Sequence, residues 1–111
     1  MGNPIVEKSL TFAVEIISFT EELTKLKKYV ISNQLLRSGT SIGANVKEAQ
    51  GAESKVDFRH KMRIAYKEAQ ETEYWLSVCK LSPGYPTSDE LINKVQEIIR
   101  ILGSIIASCR Q

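Results

Sequence analysis

Apolar residues recur along this chain at steps of three and four, the period of an α-helix, in four stretches separated by short polar breaks. The first stretch opens with Pro4, a residue tolerated at a helix start because its missing N–H would be unpaired there. Two stripes follow it. One runs Val6, Leu10, Ala13 and Ile17, and the other Phe12, Ile16, Phe19, Leu23, Leu26 and Val30. A surface helix in a lone bundle needs one apolar stripe, so the second implies a further buried contact. The second stretch predicts a helix from about Tyr29 to Ala52, with Ile31, Leu35, Ser38, Ile42, Val46 and Ala49 on one face. Its middle, Ser38 to Asn45, holds two glycines and several poor helix formers, yet the apolar phase survives across it. A continuous helix is therefore expected, with small residues admitting a neighbouring backbone. Asn45, at the edge of that face, is expected to bond the backbone of a neighbouring helix.

The third stretch predicts a helix from about Ser54 to Leu81, capped by Ser54 or a neighbour. Phe58, Met62, Ala65, Ala69, Thr72, Leu76 and Cys79 lie within one of its faces. Ile64 and Trp75 fall off that face and suggest a second buried surface. Ser82-Pro83-Gly84-Tyr85-Pro86 breaks the pattern, and Thr87-Ser88-Asp89-Glu90 reads as a capping box with Thr87 as the cap. The last helix carries Leu91, Val95, Ile98, Leu102, Ile105 and Cys109, with Ile92, Ile99 and Ile106 beside them. The result is an all-α fold of four helices in a single domain over residues 1–111. The surplus apolar surface predicts a homo-oligomer, with Phe12, Phe19, Ile64 and Trp75 as candidate interface residues.

Composition narrows the class without naming a function. A 42% hydrophobic and 25% charged chain is ordinary for a globular protein and too apolar for disorder. No apolar run approaches the ~20 residues of a membrane span. Met1-Gly2-Asn3-Pro4 carries no secretory signal, and Val6 stands where a myristoylation motif wants Ser or Thr. A cytoplasmic location is the expectation, and two cysteines, Cys79 and Cys109, fit it as small apolar residues. An antiparallel hairpin of the last two helices would hold them ~30 Å apart, beyond disulfide reach.

Catalytic constellations are missing. A two-metal carboxylate site in a helical bundle needs paired Glu-x-x-His motifs, and the chain has one histidine, His60. Cys79 and His60 are 19 positions apart on one predicted helix, ~28 Å, too far for a nucleophile–base pair. No phosphate-binding glycine loop is present. The expectation is a non-enzyme without metal or cofactor. Net charge is only +2, from 15 basic and 13 acidic residues, so any nucleic-acid binding must come from local clustering. Lys55, Arg59, Arg63 and Lys67 supply such a cluster, spaced every four residues as a basic ridge on the third helix. The competing expectation is a solvated face neutralised by Glu53, Asp57, Glu68 and Glu71. Tyr66, Tyr74 and Trp75 could stack on bases, although aromatics at helical spacing more often pack.

Three segments carry a family resemblance: Asn3-Pro4-Ile5-Val6-Glu7-Lys8-Ser9, the run from Gln34 to Ala49, and the run from Lys67 to Leu76. Together they resemble the bacterial four-helix-bundle family associated with 23S ribosomal RNA intervening sequences, over nearly the whole chain. The resemblance implies an antiparallel up-down-up-down four-helix bundle with a helical small-residue segment. Related accessory proteins of diversity-generating retroelements are homopentameric barrels that bind nucleic acid and a reverse transcriptase. That relationship implies a pentamer here, with RNA or another nucleic acid, a reverse transcriptase or another protein as possible partners. It carries over no catalytic residue. The two function readings are an oligomeric RNA-associated accessory protein using the basic ridge, and a protein-interaction scaffold assembled through apolar stripes without direct nucleic-acid binding.

Overall fold

The four periodic stretches are four α-helices: α1 (Pro4–Lys25), α2 (Tyr29–Gln50), α3 (Lys55–Leu81) and α4 (Asp89–Ser108). The structure, a computed structural model, describes residues 3–109, so the lipidation reading of Met1-Gly2 falls outside the described residues. Each helix packs on its two neighbours around a square, α1 on α2 and α4, α3 on α2 and α4. Polar contacts give the directions. Along the α2–α3 seam Lys61 meets Glu48, whereas Arg37 meets Glu68 and Glu71, so numbers rise on one helix as they fall on the other. Arg59 with Ile106 and Glu73 with Gln96 repeat this between α3 and α4. The bundle is antiparallel, up-down-up-down, and measures 47 × 25 × 20 Å.

The core is a single column of apolar side chains from all four helices, including fully buried Ile16, Leu35, Met62 and Leu102. Glycine admits a close approach in that column. A methyl at Gly39 would lie 2.8 Å from Ile16 Cγ2, so α1 and α2 meet where α2 has no side chain. The small-residue run is thus helical throughout, as its apolar phase predicts. Asn45 differs from expectation: its amide donates 2.9 Å to the Ser41 carbonyl of its own helix, a local bond that needs no neighbour.

Helix ends show how the chain turns. α1 closes in a Schellman motif, with Lys28 N–H donating to the Leu23 carbonyl and Lys27 N–H to that of Thr24. Lys27 occupies the left-handed position (φ 63) where glycine is usual. Ser54 caps α3 by accepting from Asp57 N–H at 3.0 Å, as expected. The cap of α4 is Ser88 and not Thr87: Ser88 Oγ accepts from Leu91 N–H at 3.1 Å, and the helix starts one residue later than the sequence motif suggested.

The larger correction concerns α1. Phe12 and Phe19 are 1% and 5% exposed, part of the subunit's own core, and so are unavailable to a partner. The exposed stripe of α1 is the other one, with Leu10 at 64% and Ile17 at 45%, joined by Val14 at 60%. The bulkier rings fill the interior because they bury more area per position. Ile64 and Trp75 are half-buried on the side of α3 that flanks α2. The Trp75 indole donates to Glu71 Oε2 at 2.9 Å and meets the Tyr74 ring edge-on at 5.1 Å.

Candidate nucleic-acid interface

α3 presents its core face inward and its basic residues along the opposite edge, toward α4. A four-residue step on a helix advances ~6 Å and drifts slowly around the axis, so Lys55, Arg59, Arg63 and Lys67 spiral along one seam. Lys55, Arg63 and Lys67 are exposed and Arg59 is half-buried. Arg59 Nε donates to the Ile106 carbonyl at 3.4 Å, near the end of α4. That last turn contains no basic residue of its own, so Arg59 supplies the positive charge its dipole favours. Among the described residues the other guanidinium N–H groups of Arg59 have no partner. Arg63 and Lys67 continue the line beside an open groove of about 470 Å³ bounded by Tyr66, Gln70, Gly103, Ile106 and Ala107.

Two of the acidic residues that could neutralise this ridge, Glu68 and Glu71, are engaged elsewhere. Glu68 and Glu71 both accept from Arg37 of α2, and Glu71 also accepts from Trp75. Glu48 holds Lys61 at 3.0 Å, and this hydrogen bond raises the lysine's affinity for its proton. Lys94 is likewise raised by its bond to Glu15, on the α1–α4 seam. Among the described residues, none of Lys55, Arg59, Arg63 and Lys67 has a carboxylate within 4.0 Å. The neutralised-face expectation therefore fails at Glu68 and Glu71. Cations that form no ion pair among the described residues favour a local positive field along the ridge despite the small net charge, with Glu53 and Asp57 moderating it at the Lys55 end.

Other chemistry is sparse. Cys79 is fully buried, and desolvation pushes its thiol above the ordinary value, away from the nucleophilic thiolate. Cys79 and Cys109 are both free thiols. Among the described residues, no three His, Cys, Asp or Glu side chains gather as a metal site. No described helix is long and apolar enough to cross a membrane. Sequence reasoning missed two parts of the seam, the Arg59 cap and the Gly103 opening, because both depend on how α4 docks. The four-residue spacing did identify the ridge.

Fold and site together define a helical bundle with a basic seam that forms no ion pair among the described residues and a separate exposed apolar stripe. The chain belongs to the 23S rRNA-intervening sequence protein family, whose model matches residues 2–104. It is similar to a crystallised Bacteroides thetaiotaomicron protein described as having unknown function and coming from the S23 ribosomal protein family. The two share 46% identity over 92% of this chain and 97% of that one, with a TM-score of 0.86. No curated protein matches the chain.

Proposed function

We propose that the protein is a non-enzymatic, cytoplasmic, homo-oligomeric accessory protein that associates with RNA through the α3 ridge. The observation that carries this reading is that Lys55, Arg59, Arg63 and Lys67 form no ion pair among the described residues, Glu71, one turn on from Lys67, being held by Arg37 instead. Phosphates are the natural counterions for such a row, and oligomer symmetry would multiply it. The family's name ties it to 23S rRNA intervening sequences, which motivates RNA as the partner. Replacing Lys55, Arg63 and Lys67 together with Glu should abolish RNA retention on a filter while leaving the helical circular-dichroism spectrum intact. Unchanged retention would reject the surface.

A second reading, a protein-interaction scaffold, draws on the exposed apolar stripe. Leu10, Val14 and Ile17 of α1 adjoin a groove of about 360 Å³ lined by Val6, Ala13, Gly43 and Ala44 between α1 and α2. In the favoured reading this stripe serves self-assembly. A five-membered ring needs heterologous contacts, in which two different patches of each subunit meet. We read the α1–α2 stripe as one such patch and the α3 edge bearing Ile64 and Trp75 as the other. Salt separates the two readings, since phosphate binding weakens steeply as salt rises and apolar association does not.

A further inference from the structure

The groove between α3 and α4 lies beside Arg63 and Lys67, and its lining is more specific than phosphate attraction requires. Arg63 and Lys67 stand on its α3 side, with Gln70 one turn further along. On the α4 side Gly103 removes a side chain, so that Tyr66 Cε1 lies 3.6 Å from where a methyl would stand. The Tyr66 ring thus rests against bare α4 backbone and is only half-buried, leaving part of it open to the groove. Ile106 and the exposed Ala107 complete the wall. The space, about 470 Å³, falls within the range of sites that hold small organic groups.

We propose that this groove seats an unpaired nucleobase of single-stranded RNA, with the flanking phosphates on Arg63 and Lys67. The inference rests on the RNA reading above and names the form of RNA. A base offers a flat π-face to Tyr66, and the Gln70 amide carries both a donor and an acceptor for a base edge. Cations one helical turn apart suit successive phosphates of an extended strand. In duplex RNA the bases are stacked and paired, so a duplex could meet the cations but could not fill the groove. A purely aliphatic ligand would fill the groove and leave both cations unmatched.

The test is fluorescence anisotropy of the full chain with a labelled single-stranded RNA and with the same sequence as a duplex. Two variants fill or strip the groove without changing charge: Ala107→Leu, at an exposed position, and Tyr66→Leu. Thermal melts confirm that each is folded. Wild type should prefer the single strand by roughly tenfold or more, the order expected of one base stacked on an aromatic ring. Ala107→Leu should remove that preference and leave duplex binding as it was, and Tyr66→Leu should follow it. Equal wild-type affinity for the two forms, or single-strand binding that Ala107→Leu leaves unaltered, would overturn the base site. If the Lys55, Arg63 and Lys67 reversals still abolish binding in that case, the ridge stands and only the groove falls. If wild type binds neither RNA, both fall.

Discussion

Lys27 sits in the left-handed region at the end of α1, where a Cβ costs ~1 kcal/mol or more and glycine costs nothing. Lys27→Gly should therefore raise the unfolding free energy by about 0.5–1 kcal/mol, because relief of the Cβ clash outweighs the added freedom of the unfolded chain. Urea denaturation would show this as a higher midpoint at constant slope. RNA retention should not change, since Lys27 lies at the bundle end opposite Lys55. Residue-level detail was partly legible in the sequence. The Ser54 cap was, because one hydroxyl precedes the helix at the right spacing. The Ser88 cap was not, because Thr87 and Ser88 are adjacent hydroxyls and only the backbone entry angle chooses between them. Arg37 was equally hidden: Glu68 and Glu71 look like partners for cations on their own helix, and only cross-helix packing turns them toward α2.

Between elements, two glycines make opposite predictions. At Gly39 an added methyl would come within 2.8 and 2.9 Å of the γ carbons of Ile16, a buried β-branched side chain with little freedom to turn aside. Gly39→Ala should cost about 1–3 kcal/mol by overpacking, more than the ~1 kcal/mol helix propensity returns. Gly103→Ala meets only ordinary contact with Tyr66 and should stabilise by up to ~1 kcal/mol. Chemical denaturation of both variants checks the sign of each. Helix positions and the continuity of α2 followed from apolar periodicity, which is a property of one helix at a time. The assignment of stripes on α1 did not follow, because both keep helical spacing and only the shape of the assembled core decides that Phe12 and Phe19 go inside. The same ambiguity misplaced the expected interface.

The whole molecule carries an exposed apolar stripe on α1 and a basic seam between α3 and α4. The stripe should hold copies together, so Leu10→Glu combined with Ile17→Glu should convert the oligomer to monomer in light scattering at tens of micromolar. The subunit fold should survive, since both positions are exposed. A wild type that is monomeric there would contradict the ring. The seam carries the functional claim, and one measurement tests it most directly: the salt dependence of single-stranded RNA affinity for the full chain. Each phosphate neutralised contributes about −0.7 to the slope of log K against log salt, so four ridge cations predict a slope of about −3 for each subunit's contact. The slope should become shallower in step with the number of ridge residues made neutral. A slope near zero, or one unchanged by substituting Lys55, Arg63 and Lys67 with Gln, would show that the ridge does not hold RNA.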